Sequence, residues 1–259
     1  MRRGPGVLGW SVIAASLIFL YVPMLLVAAY SFNAGKLVTV WAGFSTRWYG
    51  ELFADEALLD AFSISLRVAL VAASLATFIG VCAGLALARR ARLPAQGLFT
   101  TAVYAPLVMP DILLGFSLLL LFVSLGLPRG FWTVAIAHAT ASIGYVAVAV
   151  RARLVQVDPA LEEAAQDLGA SPLTAFMTVV LPVIAPAVAA GWLLAFSLSL
   201  DDLVIASFAA GPGSTTLPMR LYSQVRLGVN PEVNAAFTLM ILVVVIAAAV
   251  YALTLRRKA

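Results

Sequence analysis

Cysteine, histidine and charge are all scarce in this 259-residue chain. The one cysteine, Cys82, lies inside an apolar run, so the chain holds no disulfide framework. One histidine, His138, and one cysteine leave no ligand set for zinc or haem. They also leave no nucleophile–base pair or metal cluster from which a membrane enzyme would be built. Charged residues are 11% of the chain, against about 25% in an ordinary soluble domain. There is no G-x-x-x-x-G-K-[S/T] phosphate loop, so the chain has no visible means of binding ATP itself. A clear internal repeat and a set of several intramembrane charges, the usual marks of a secondary transporter or cation channel, are missing too. The net charge of +4 is no argument for nucleic acid, because in such a chain the place of each positive charge matters more than the sum.

What is abundant is apolar sequence: 63% of residues, with a mean hydropathy of +1.04. It is arranged in long runs, as a bilayer requires, because a helix crossing the hydrocarbon needs about 20 apolar residues and must pair its own backbone groups. The expectation is an all-α polytopic membrane protein with six spans. These run near Val7–Tyr30, Ser65–Ala88, Leu98–Leu125, Phe131–Val150, Ala175–Leu200 and Val233–Leu255. With the amino terminus inside, the inner face receives Arg2, Arg3, Arg89, Arg90, Arg92, Arg151, Arg153, Arg256, Arg257 and Lys258. The outer face receives Lys36, Arg47, Arg129, Arg220 and Arg226, and Arg67 sits near the start of the second span. Ten against five satisfies the positive-inside bias and puts both termini in the cytoplasm. The first apolar stretch is too long for a signal-peptide core of about 7–15 residues and is expected to stay as an uncleaved span.

Two connections are long enough to carry function. The outer loop Ser31–Asp60 is rich in aromatics and acids, among them Trp48 and Tyr49. Such side chains commonly sit at headgroup level, and cation–π contact is the rival reading. The inner loop, 151–176, is more informative. Asp158-Pro159 has the form of a helix start, Gly169 suits the left-handed turn that ends a helix, and Ser171-Pro172 starts another. Leu161, Ala164, Ala165 and Leu168 fall on one face, with Glu162, Glu163, Gln166 and Asp167 around the rest. Four acids among the ten residues Asp158–Asp167 suit an anionic inner leaflet poorly, so a protein partner fits better than a lipid surface.

The spacing Glu163-Ala164-Ala165, three residues, Gly169, nine residues, Val179-Val180-Leu181-Pro182 resembles the EAA loop of ABC importer permeases, with Val179 where the pattern has isoleucine. The resemblance extends over essentially the whole chain. It implies a type I ABC importer permease fold in a single domain, 1–259. Within it Glu162, Glu163, Ala164, Ala165, Asp167 and Gly169 belong to a coupling helix that docks on a separate ATP-hydrolysing subunit. Three further stretches resemble the putrescine/spermidine branch, and its second permease subunit in particular: Ala105–Gly115, Gly191–Asp202, and Gly211–Gly213 through Leu217-Pro218 to Arg226–Glu232. The partners so implied are a second permease in a heterodimer, two ATPase copies that hold ATP and Mg, an extracytoplasmic polyamine-binding protein and the lipid bilayer. The chain itself holds no cofactor on this reading.

A polyamine path needs carboxylates to replace water around each ammonium. Asp111 follows Pro110 in an otherwise uncharged run; it costs about 2.5–3.5 kcal/mol at a helix centre, so its default reading is functional. The alternative is that it caps a half-helix beginning at Ile112. Asp201 and Asp202 close the fifth span, where acids disfavour a helix C-terminus and need compensation. An anion importer would line its path with arginine or helix N-termini instead. His138 is read as a packed, hydrogen-bonded side chain, the Gly80/Gly84 pair as a close helix contact, and Leu203–Met219 as a re-entrant or outer-surface segment that meets the binding protein.

Overall fold

The structure is a computed structural model that describes residues 6–36, 40–89, 95–227 and 231–256. Of the charges placed above, Arg2, Arg3, Arg90, Arg92, Arg257 and Lys258 lie outside the described residues, as does Gly228–Asn230 of the third polyamine-like stretch. Two compact units emerge, one from residues up to Leu59 and from Leu221 onward, the other from Asp60–Arg220.

In the first unit, α1 (Val7–Tyr30) coincides with the first expected span and leads into a short, strongly hydrogen-bonded loop. Asn33, fully buried, organises that loop: its side chain donates to Val40 O and accepts from Ala42 N, each at 2.8 Å. An isolated antiparallel bridge joins Asn33 to Phe44. The loop ends in α2 (Arg47–Ala54), and the same unit holds the greater part of α11 (Leu217–Leu227) and the whole of α12 (Pro231–Arg256), which packs on both α1 and α2. No residue of α1's apolar window is buried, which leaves most of its apolar surface for a nonpolar surrounding.

The second unit is built around α6 (Phe131–Leu154), 61% of whose apolar window is buried. One side of α6 packs Val146 and Val150 against α3 (Glu56–Arg89) and α9 (Leu181–Asp201); the other packs Val134 and Ala137 against α5 (Asp111–Ser124) and α10 (Val204–Ala209). Small residues permit these contacts, since helices in hydrocarbon associate by close van der Waals packing rather than by apolar burial from water. A Cβ on Gly80 would stand 2.6 Å from Val146 Cβ, and one on Gly84 3.0 Å from Ala147 O. The Gly80/Gly84 pair therefore serves contact with α6 of the same chain.

α3 is 34 residues, about 51 Å at 1.5 Å per residue, and so outreaches a hydrocarbon core of about 30 Å. Its extra turns precede the expected Ser65 start and carry Glu56 and Asp60. The expected third span is broken: α4 (Gln96–Val108) and α5 meet at 117° across Met109-Pro110. Proline has no N–H to continue the ladder and forces the preceding residue out of helical geometry. Pro182 acts differently. It follows a π-helical stretch, Phe176–Val180, that lies between the short α8 (Pro172–Ala175) and α9. There the missing donor and the ring's bulk are absorbed by shifting the ladder one residue.

Among the described residues, four helical stretches are long and apolar enough to cross a membrane, Leu8–Tyr30, Glu56–Arg89, Phe131–Leu154 and Pro172–Asp201, with a fifth if the α4/α5 pair is one span. The segment after α9 is no surface strap. Ile205, Ala206 and Ala209 of α10 are buried against Leu114 and Leu118 of α5, and a Cβ on Gly115 would meet Phe208 at 2.7 Å. The apolar face of α10 thus packs into the unit's interior, while Val204, Ser207, Pro212, Gly213 and Thr215 stay exposed.

Candidate functional site

Each of the three acids singled out in the sequence lies at a helix break. Asp111 is the first residue of α5, with Pro110 as the N-cap and no side-chain capping hydrogen bond. The alternative of a cap for a helix starting at Ile112 is therefore not what the structure has. The carboxylate is left over, favourably placed near the positive end of α5. Asp201 is the last residue of α9, and Asp202 follows it in extended conformation. The chain compensates Asp202 internally: its Oδ1 accepts from Ala206 N in the first turn of α10 at 2.8 Å, so an acid poorly placed for one helix is well placed for the next.

Asp111, Asp201 and Asp202 line a single cavity of about 350 Å³ within the second unit. Pro106, His138, Ser142, Tyr145 and Ser199 share its wall. His138 is 2% exposed; its Nδ1 lies 2.7 Å from Ser199 Oγ and its Nε2 3.2 Å from Asp202 Oδ1. It is packed and hydrogen-bonded as expected, yet it also faces the cavity, which was not foreseen. The signal was present in the sequence. His138, Ser142 and Tyr145 stand at i, i+4 and i+7, a polar stripe along one face of an apolar helix. Ser199, His138 and Asp202 have the composition of a nucleophile triad, but Ser199 is buried in the last turns of α9, where the neighbouring N–H groups are spent on the helix ladder. No oxyanion site can form from them.

Trp48 and Tyr49 do not line this cavity. Trp48 is 3% exposed, its indole N–H donates to Asn33 O at 2.6 Å, and the Arg47 guanidinium already stands 4.1 Å over its ring. Tyr49 hydroxyl lies 2.7 Å from Ser31 Oγ, and its ring is tilted against Phe32. Both side chains are engaged in the packing of their own loop, and the ring face a cation would seek on Trp48 is taken.

The 151–176 loop folds as its residues dictate. Asp158 Oδ1 accepts from Ala160 N at 2.9 Å ahead of α7 (Ala160–Asp167). Gly169 turns left-handed at φ +91°, and Ser171 Oγ accepts from Thr174 N to open α8. No residue of α7 is buried, and Leu168 is 90% exposed just beyond it. Glu163, Ala164 and Asp167 are exposed, whereas Glu162 is ion-paired to Arg89 at the end of α3. Of the residues that the resemblance assigns to coupling, then, Glu162 reaches toward its own chain.

An acid-lined cavity between broken helices, with an uncovered acidic helix beyond the bundle, is the layout of a solute-transport subunit. The chain belongs to the family of binding-protein-dependent transport system inner membrane components, whose pattern it matches over residues 76–258. It is a transport subunit of that membrane and no enzyme. Among its relatives is the putrescine transport system permease protein PotI of Escherichia coli (strain K12), 55% identical over 229 residues, 86% of this chain and 82% of the relative. Another is the spermidine/putrescine transport system permease protein PotC of the same strain, 41% identical over 232 residues, 88% of each chain. The fold is similar to that of a bacterial ABC transporter involved in the import of the acidic polysaccharide alginate, at a TM-score of 0.77 and 18% identity, over 95% of this chain and 94% of that one. Membership brings work alongside another permease, an ATPase and a binding protein.

Proposed function

We propose that this chain is the second membrane-spanning subunit of an ATP-driven importer of polyamines, putrescine in the first instance. One observation carries the reading: three carboxylates from two separate helix breaks converge on one small cavity. An ammonium leaving water is best received by carboxylates, and Tyr145 adds an aromatic face. The volume of about 350 Å³ lies at the low end of ligand pockets, roughly 300–1,000 Å³, which suits a short linear amine. The names borne by the relatives support the same substrate class. The acidic lining speaks against an anion importer. In this reading residues 1–259 act as one permease domain of six spans, the α4/α5 pair and α12 supplying the third and sixth, with both termini inside.

The chain pairs with a different permease and with two ATPase copies, which hold the ATP and Mg. A loaded binding protein docks outside, the ATPases close, and the 151–176 loop carries that motion into alternating access. Asp111, Asp201 and Asp202 receive the ammonium groups, and Glu163, Ala164, Ala165 and Gly169 meet the ATPase. Labelled putrescine and spermidine uptake, in cells carrying the whole transporter operon with and without this gene and lacking redundant transporters, tests it. Loss on deletion with restoration by wild type is expected. Unchanged uptake of both amines removes the substrate and leaves the permease.

A further inference from the structure

The cavity wall contains a buried imidazole that the transport reading does not use. His138 is 2% exposed on a helix lined by alanine and valine, and burial of a polar ring is tolerated where its nitrogens have partners. Nδ1 has one in Ser199 Oγ at 2.7 Å. Nε2 is enclosed and makes no aligned hydrogen bond, yet stands 3.2 Å from Asp202 Oδ1. The two possible tautomers differ sharply here. With Nδ1 protonated, the lone pair of Nε2 would face a carboxylate oxygen. With the Ser199 hydroxyl donating to Nδ1, the neutral ring carries its proton on Nε2, beside Oδ1 though off the line of a hydrogen bond, which is the more favourable of the two arrangements.

We propose that His138 is a positioning residue for the Asp202 carboxylate, and through it for the substrate's ammonium group; this rests on the polyamine reading above. Oδ1 is then held from two sides, by Ala206 N–H and by His138, and Oδ2 stays available to the cavity. Asp202 is thereby preset before substrate arrives, whereas Asp111 has no capping bond to fix it. A charge fixed in advance costs no reorganisation when its counter-charge binds, so the gain falls on affinity.

The chain contains one histidine, so labelling this subunit with nitrogen-15 histidine and assembling it with unlabelled partner subunits in lipid gives one imidazole pair by solid-state NMR. The expected spectrum is the Nε2–H tautomer, with an Nε2 shift that moves on Asp202→Asn, stays on Asp111→Asn, and moves on adding putrescine. In putrescine uptake by the same complex, His138→Leu raises KM several-fold, short of the roughly tenfold that an aligned hydrogen bond to a charged group contributes, with kcat little changed. His138→Gln, which keeps an N–H donor, restores most of the affinity. An Nδ1–H tautomer, an Nε2 shift indifferent to Asp202→Asn, or a wild-type KM in an assembled His138→Leu complex overturns the proposal. The spectroscopic arm keeps His138 intact and does not depend on that variant's assembly. If Nε2 follows Asp202→Asn while wild type neither transports putrescine nor responds to it, the positioning of Asp202 stands and the substrate reading falls.

Discussion

The cavity wall and helix α7 carry the same kind of side chain in opposite settings. In the cavity, Asp111, Asp201 and Asp202 sit at breaks in apolar helices, and Asp202 is held by Ala206 N and approached by His138. On α7, Glu163 and Asp167 stand exposed, and an ion pair joins Glu162 to Arg89. A carboxylate within a membrane bundle is costly unless something cationic meets it. A carboxylate on an exposed helix costs almost nothing, and what a partner reads there is a surface of a given shape. Substitutions in the first region should therefore act on substrate and leave assembly intact. Those in the second should act on the use of ATP and leave substrate binding intact.

The largest effect is expected at the cavity. Asparagine matches aspartate in shape, so Asp111→Asn or Asp202→Asn removes charge while keeping packing. A hydrogen bond to a charged group contributes about 1.5–3 kcal/mol, a factor of roughly 10–150. Putrescine uptake in reconstituted vesicles should fall by about that factor in either variant, with the complex of normal size on gel filtration. Asp167→Asn on α7, the control from the other region, should leave the putrescine KM unchanged. Normal uptake in both cavity variants of an assembled complex would break the comparison outright.

A smaller effect is expected where α7 ends. Gly169 has φ +91°, and a Cβ there would meet nothing within 4 Å. Its glycine is thus a matter of conformation and not of space. A left-handed residue with a side chain costs about 1–2 kcal/mol, more for a β-branched one and less for asparagine. Gly169→Val should cut substrate-stimulated ATP hydrolysis several-fold, with Gly169→Asn in between and putrescine KM unchanged in both. Equal loss in the two variants would point to a glycine needed for partner contact, not for its turn.

The two regions also differed in how far the sequence revealed them. The loop was legible down to its caps, because Asp158-Pro159, Gly169 and Ser171-Pro172 act through bonds a few residues long, and local chemistry is what a sequence states directly. Two span starts were legible too, since α1 and α6 begin where the apolar runs begin, whereas α3 starts at Glu56, ahead of its run. The cavity was legible only in part. Asp111, Asp201 and Asp202 declared themselves by their cost, but their meeting depends on the 117° turn at Pro110 and on α10 folding inward beneath α5. Both are tertiary outcomes. His138 was undervalued because one histidine offers no motif, although its stripe with Ser142 and Tyr145 was there to read. For Trp48 and Tyr49, composition left headgroup-level and cation contact both open, and no local pattern stated the loop contacts that engage Trp48 with Asn33 and Arg47 and Tyr49 with Ser31 and Phe32.

The smallest expected effect tests the ion pair that ties α7 to α3 of its own unit. Arg89 ends α3 and Glu162 lies in the first turn of α7, so each charge is on the favourable end of its helix. Their side chains are 35% and 17% exposed. Ion pairs this open to solvent contribute about 0.2–1 kcal/mol, a factor of up to roughly five. Glu162→Gln should lower coupled ATP hydrolysis within that range, and the loss should shrink in high salt, where wild type has less of the pair to lose. The reciprocal pair Arg89→Glu with Glu162→Arg discriminates further. If Glu162 acts through Arg89, the exchange restores much of the coupling that either single change removes, less a little for the reversed helix ends. If Glu162 acts by touching the ATPase, the exchange plants an arginine in that contact and deepens the loss. A helix held to the bundle by its own ion pair transmits motion to α3, whereas one held by its partner alone transmits it only through the chain at its two ends.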